Sequence, residues 1–482
     1  MPDAAILSFA EFRDTQQRAA NRQRLHDGFD RWLNRLEDQV QSPNPTLEAL
    51  TQAVFALRQE LTQAVTEGLV EHAHRAAMEQ RTAPCPQCGQ TLSARGPQDR
   101  TVETLVGAIR LRRPYFYCAR CQRGSAPLDT VLELTERRKQ PDVQKAAVKL
   151  TKEVPYETAS ELFEGLTGLP LSAHTAHAVT QEVAAGLGVL EVAPTPEEIA
   201  ARVAAVAAGR TWRPIMVLAI DGAHVPTRPE TAKGRRPGRQ QARAKRAQWT
   251  GEWREAKGFR FYLIDGERIV QVLSWHQVQT DEELAAALRQ VKTAGLLPET
   301  QVRLCVIADG AHWIWKQTHA LFPSAVELLD YYHGSEHLSK VAALQYGAHQ
   351  ERQCEWYEAA LARLFWGEVA NVIWGLQRMQ PTDAQAAAAI AKLIGYLQYH
   401  QERLDYRCAR KGGYPMGSGG IESANKFICH VRLKRSGAWW YVENANQMLA
   451  LRCAKYNGTF ERLFDRHRQR SQESSGPELP KK

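Results

Sequence analysis

Apolar residues recur at helical spacing through the first part of the chain. Leu25, Phe29, Trp32, Leu33, Leu36 and Val40 keep that period, and beyond Pro43 and Pro45 so do Leu50, Val54, Leu57, Leu61 and Val65. Two helices follow from this, packed as a hairpin or serving as a dimerisation element, over too few heptads for a coiled coil. The period then changes. Alternation on either side of Gly107, through Thr101, Glu103 and Leu105 and then Ile109, Leu111 and Tyr115-Phe116-Tyr117, predicts a β-hairpin. Helical spacing returns in three short runs, 143–154, 156–166 and 173–187, with a break at Thr167-Gly168-Leu169-Pro170 and Ser172 placed to cap the third. A Pro/Ala-rich stretch at 193–210 is expected to link this front half to the rest.

From Trp212 onward two segments look alike. Residues 214–220 run apolar into Asp221-Gly-Ala-His224, and residues 302–308 run apolar into Asp309-Gly-Ala-His312. Such runs suit strands buried on both faces. A carboxylate at the tip of a central strand sits on rigid backbone where ligands of open sheets bind. An Asp-Gly turn closing a strand would explain either segment alone, but poorly explains the repetition. Residues 258–264 and 268–275 read as strands joined at Asp265-Gly266. A helix is expected over 280–291, another over 313–322, and a fifth strand over 325–331 that ends in Asp330-Tyr-Tyr-His333. Three antiparallel strands, a helix and a parallel strand follow the order of an RNase H-like core. Gly417-Ser-Gly-Gly opens a later helix with an expected apolar stripe of Ile421, Ala424, Ile428 and Val431. Glu422, Asn425, Lys426 and Cys429 then fall on the other face. Glu422 lies in the first turn, where the helix dipole favours its charge, free to face the two aspartates or to serve as a capping carboxylate.

Cysteines add a second chemistry. Cys85-Pro-Gln-Cys88 and Cys118-Ala-Arg-Cys121 stand at the base of the expected hairpin, and four thiolates on two tight turns can surround a zinc ion tetrahedrally. The 29 residues between them (89–117) exceed the usual ~15–20. A redox dithiol is the weaker alternative, since that motif occurs singly beside a βαβ unit. The remaining five cysteines are scattered, as a reducing compartment tolerates. Lys and Arg total 62 against 53 Asp and Glu, for a net charge of +9, which favours an anionic partner only mildly. Much of the excess lies at Arg228–Arg246, including Arg235, Arg236, Arg239 and Arg243, a phosphate-binding arm or a solvated insertion. Arg432, Lys434 and Arg435 beside Trp439 and Trp440 combine charge with stacking surface, unless those rings are core. Ser172, His174 and Thr175 begin the second helix of a helix-turn-helix pattern, which DNA-binding domains share with plain three-helix bundles; His177 is expected to face outward with them. No export signal, no window of the ~18 apolar residues a membrane helix needs and no P-loop are present, so a cytoplasmic protein without a membrane partner is expected.

These pieces together resemble the DDE transposases of bacterial insertion sequences, most closely the ISKra group. The matching motifs are the Cys-Pro-x-Cys-Gly…Cys-x-x-Cys ribbon, Ile-Asp221-Gly, Ala-Asp309-Gly-Ala, Asp330-Tyr-Tyr-His333-x-x-Glu-His337, Gly417-Ser-Gly-x-x-Glu422, Arg432-x-Lys434-x-Ser-Gly437-x-Trp439 and Met448-Leu-x-Leu-Arg452. The resemblance implies Asp221, Asp309 and Glu422 as ligands of Mg²⁺ or Mn²⁺. It implies a supporting Asp330 and His333, shared with Mutator-like relatives, while His224 and His312 are either supporting groups or packed strand-end residues. It further implies double-stranded DNA (element ends and target) as partner and a homo-oligomer on that DNA. The expected architecture is multidomain α+β. Helices at 1–80 precede a zinc ribbon at 81–130, a helix-turn-helix at 138–190 and a linker at 191–211. An RNase H-like core at 212–334 is interrupted by a helical insertion at 335–414, resumes with the glutamate helix at 415–440, and a C-terminal helix and tail follow at 441–482. An RNase H-like nuclease such as a junction resolvase, and a non-catalytic regulator derived from a transposase, are the competing readings.

Overall fold

The computed structural model describes residues 9–40, 43–230, 250–347 and 349–474. The protein is mixed α+β with two sheets, and it divides into two compact units, the described residues of Met1–Val183 with Phe464–Lys482, and Ala184–Leu463.

In the first unit, helices Phe9–Gln39 and Leu47–Ala73 pack antiparallel. Arg24 pairs with Glu71, and the Trp32 indole N–H donates to the Leu57 carbonyl. A four-stranded antiparallel sheet follows, β1 (Thr82–Pro84), β2 (Thr91–Thr104), β3 (Gly107–Cys118) and β4 (Arg123–Ser125) in sequence order. The expected hairpin is therefore present and long. Its tip rests on the second helix, where Thr62 donates to the Val106 carbonyl, and its arms account for the wide cysteine spacing. Three helices come next, Pro141–Thr151, Tyr156–Thr167 and Ala173–Ala184, around Val143, Ala147, Phe163 and Ala176. Gly168 ends the middle helix in the left-handed region (φ 68°), and Ser172 Oγ accepts from the Thr175 N–H at 3.1 Å as the cap of the third.

In the second unit, the stretch expected as a linker at 193–210 instead contains a helix, Pro196–Ala207. It is capped reciprocally by Thr195 and Glu198, with Ile199, Val203 and Val206 buried. Alanine spacers between those three residues weaken the visible period, yet alanine is the best helix former. The five-stranded sheet comprises β5 (Ile215–Thr227), β6 (Glu252–Asp265), β7 (Arg268–Val278), β8 (Arg303–Ala308) and β9 (Val326–Leu329), in the spatial order β7-β6-β5-β8-β9. The pairs β5–β6 and β6–β7 are antiparallel, whereas β8 and β9 run parallel to β5. Phe259 and Phe261 point to one face, where Phe322 meets Phe261, and Arg260 and Tyr262 point to the other. Helices Tyr331–Tyr346, Gln350–Phe365, Val369–Gln377, Ala384–Tyr399 and Tyr406–Lys411 separate β9 from the segment carrying Glu422. Gly367 (φ 75°) breaks the chain between the second and third of them. Helix Val442–Asn457 packs on β7, and Asn457 donates to the Ser274 carbonyl while its Oδ1 accepts from the Ser274 N–H.

Candidate active site

Asp221 is not at a strand tip. Strand β5 continues to Thr227, paired with β6 down to Thr227↔Glu252, while its parallel pairing with β8 stops at Ile220↔Ala308. Asp221 thus marks the point where the sheet narrows into a two-stranded ribbon. Asp309 follows the last residue of β8, one position beyond that same line, and Ala311 N–H donates to its Oδ1 at 2.9 Å. The Asp221 carboxyl is half-buried, and burial pushes its pKa up to about 6. A hydrogen bond from the Gly222 N–H opposes the rise, and the negative charges of Asp309, Glu422 and Glu255 add to it. The charges of three acidic groups on separate elements thus act on Asp221, two of them named by the sequence pattern and the third, Glu255, acting from the opposite face of the ribbon. Glu255 was hidden because the ribbon segment Glu252–Ala256 is solvated and carries no apolar period. It lies across from His224 and shadows Gly222, where a Cβ would meet its carboxylate at 2.1 Å. Strand alternation puts Gly222 and His224 on the face opposite Asp221, Ala223 and Val225, so His224 does not support Asp221.

Glu422 enters from the Gly419–Ala424 helix and is exposed. Asp330 holds that helix in place. It is buried, its Oδ1 accepts from the His333 N–H at 2.8 Å as the cap of Tyr331–Tyr346, and its Oδ2 accepts from the Ser418 N–H. The Tyr331 N–H also donates to the Met416 carbonyl, and Arg260 donates to the Gly420 carbonyl from the sheet side. Asp330 is thus a hinge between β9 and the glutamate helix, with both oxygens engaged by backbone.

The glutamate helix departs from the expected stripe. After Ala424 the chain makes a π turn, Asn425–His430, before resuming as α-helix at Val431–Leu433. A π turn carries one extra residue and rotates the helix beyond it. Asn425 and Cys429, expected outside, are buried, whereas Val431 is exposed. Arg452 from the Val442–Asn457 helix donates to the Phe427 and Ile428 carbonyls at the turn, at 3.0 and 2.8 Å. Asn425 Nδ2 donates to Asp221 Oδ2 at 2.8 Å, and its Oδ1 lies 3.0 Å from His276 Nε2. His276 is wholly buried, and burial lowers its pKa to about 4, leaving the ring neutral. No sequence pattern pointed to His276.

Histidines and tyrosines cluster on the Asp309 side. His312, exposed, stacks on Tyr399 with ring centroids 3.9 Å apart, and His333 packs edge-on against His337. Tyr396 lies so close to Gly310 that a Cβ there would meet its ring at 2.3 Å. Burial and the charges of Asp309 and Asp330 push the Tyr396 hydroxyl pKa up.

The four predicted cysteines converge. Their sulfurs lie within 4.8 Å of one another, the only such group among the described residues, so the three carboxylates are less tightly gathered. Cys85–Cys121 and Cys88–Cys118 are 3.9 and 3.7 Å apart. A tetrahedron of Zn–S bonds of ~2.3 Å has edges of about 3.8 Å, so the donor set fits zinc. Backbone N–H groups of Cys88 and Gln87 pull the Cys85 thiol down to about 6, toward the thiolate a metal requires.

The DNA-binding candidates fare unevenly. Arg235, Arg236, Arg239 and Arg243 lie outside the described residues. His174, Lys434 and Arg435 are exposed, and the hydroxyls of Ser172 and Thr175 pair with each other at 2.8 Å. His177 packs edge-on against Tyr156 instead of facing solvent. Arg432 is buried over the Trp440 ring, 4.9 Å from its centroid, and is no surface contact, because the π turn rotates it inward; Trp440 is core. Trp439 meets the exposed Trp253 edge-on. No helix among the described residues is long and apolar enough to cross a membrane.

A model of UPF0236, described as an uncharacterised protein family, matches residues 44–470. No curated protein matches the chain. Among solved structures it is similar to the Drosophila P element transposase strand transfer complex, with 11% identity over 68% of this chain and 80% of that chain, and a TM-score of 0.22. So loose a superposition carries no argument about chemistry.

Proposed function

We propose that this chain, which belongs to the UPF0236 family, is a DDE transposase of an insertion sequence. The observation that carries the reading is that Asp309 and Glu422 come near enough to Asp221 for their charges to act on it. Two matching apolar runs reach Asp221 and Asp309 at one line across adjacent strands, a helix after the insertion brings in the glutamate, and their charges add to burial in raising the Asp221 carboxyl. The strand order β7-β6-β5-β8-β9, three antiparallel and then two parallel, supports an RNase H-like core. The ribbon, the capped helix pair and the Gly417–Glu422 motif support the resemblance to the ISKra group.

A set of carboxylate oxygens suits Mg²⁺ or Mn²⁺, and bound there such ions would stabilise the attacking and leaving oxygens of a phosphoryl displacement. The chain's own part is placement. Asp221 is fixed by continuous pairing within β5, and Asp330 fixes the helix of Glu422. The reaction is in-line displacement at phosphorus. Water displaces the 3′ oxygen at an element end, and the freed 3′-OH displaces a 3′ oxygen in target DNA, with no covalent link to protein. Zinc on Cys85, Cys88, Cys118 and Cys121 would hold the ribbon, and helix Ala173–Ala184 is assigned to end recognition through His174 and its cap residues. The working form would be a homo-oligomer on DNA. Asp309→Asn is expected to abolish strand cleavage of element-end DNA while binding of that DNA survives. Retained cleavage refutes the assignment, and cleavage of generic branched DNA without strand transfer would make the protein a nuclease.

A further inference from the structure

We propose that Asn425 is a positioning residue for Asp221, locked by His276, and that this chain of contacts sets how tightly the carboxylate site holds a divalent cation. The inference rests on the metal-dependent reading above and adds two residues to it.

Asn425 is 5% exposed, so each polar atom of its amide needs a partner. Its partners fix its orientation. An ionised carboxylate only accepts, so the nitrogen at 2.8 Å from Asp221 Oδ2 must be the amide donor. Oδ1 then faces His276 Nε2 at 3.0 Å, and that ring nitrogen must carry the proton. His276 Nδ1 is left buried without a hydrogen-bond partner, so the ring is held through Nε2 alone. Space for the ring comes from Gly258, which pairs with both Asp221 and His276; a Cβ there would lie 2.1 Å from the imidazole. The helix supplies the other constraint: Asn425 lies four residues after buried Ile421, on the same face, and Arg452 is bonded to the Phe427 and Ile428 carbonyls in the π turn that begins at Asn425. A hydrogen bond to one oxygen fixes the plane of the carboxylate and leaves its remaining lone pairs to a cation, as groups behind metal ligands do.

The test titrates full-length protein with Mn²⁺ and follows the resonance of the free ion, alongside melting temperature without added metal. Asn425→Ala and His276→Leu are expected to weaken Mn²⁺ binding by about 10- to 100-fold. His276→Gln, whose amide N–H stands near the position of Nε2–H, should stay near the wild type. A structural role alone predicts instead that affinity tracks melting temperature across the set. Wild-type affinity in Asn425→Ala, or equal loss in His276→Gln and His276→Leu, overturns the inference. Should Asn425→Ala fail to fold, the two His276 variants decide. Asp221→Asn separates the two levels. If it leaves Mn²⁺ binding unchanged, the carboxylate-site reading falls and this inference with it; if it weakens binding while Asn425→Ala does not, only the positioning role falls.

Discussion

Asp221→Asn is expected to stabilise the metal-free protein at pH 8 while removing its activity. The Asp221 carboxyl rises from an ordinary 3.8 to about 6, chiefly through burial and then through the charges of Asp309, Glu422 and Glu255. A carboxyl whose folded pKa lies above its unfolded one binds its proton more tightly in the folded state. Its contribution to stability is full below about pH 4 and is lost as pH rises through 6. At about 1.4 kcal/mol per pH unit, the folded protein carries up to about 3 kcal/mol of unfavourable charge at pH 8. Asparagine keeps the shape and an acceptor for Asn425 but not the charge. The melting temperature should rise by several degrees at pH 8, at about 2–4 °C per kcal/mol for a unit of this size. The gain should shrink as pH falls toward 5. Thermal unfolding followed by circular dichroism at both pH values measures this, in buffer without added divalent ions, since a chelator would also strip metal from the thiols. Adding Mn²⁺ should raise the wild-type midpoint and leave the variant unmoved. A variant no more stable than wild type at pH 8, or a gain independent of pH, refutes the reasoning.

Asp330→Ala strands the His333 and Ser418 N–H groups and should cost about 1–3 kcal/mol in urea unfolding. It should also slow strand cleavage more than it weakens binding of element-end DNA, because the helix of Glu422 loses its hinge. Arg452→Met leaves the carbonyls of Phe427 and Ile428 without their buried donor; a similar loss of about 1–3 kcal/mol is expected, and an unchanged denaturation midpoint would count against the clamp. Cys118→Ser should abolish bound zinc, read by elemental analysis of purified protein, and expose residues 82–125 to protease; full zinc content in that variant would exclude the four-sulfur site.

Local signals in this chain act over a few residues, and those were legible. Apolar runs ending in Asp221 and Asp309, the Ser172 cap, the Gly168 turn and the paired Cys-x-x-Cys knuckles each depend on neighbours in sequence, so the elements and the acidic and thiol groups could be named in advance. Polar or small-residue segments carry no such period. The Glu252–Ala256 ribbon and the Pro196–Ala207 helix went unread because solvent exposure in one and alanine in the other erase the contrast between faces. The remainder was decided by contacts that no local pattern contains. His224 lies three residues from Asp221, yet strand alternation sends it to the other face. His276 and Asn425 stand 149 positions apart and meet only because β7 and a π turn converge on Asp221. Sequence determined which carboxylates and thiols the protein has and which strands carry them. Tertiary structure decided which neighbours orient them, because a hydrogen bond between distant segments depends on how sheet and helix pack, not on the residues beside either partner.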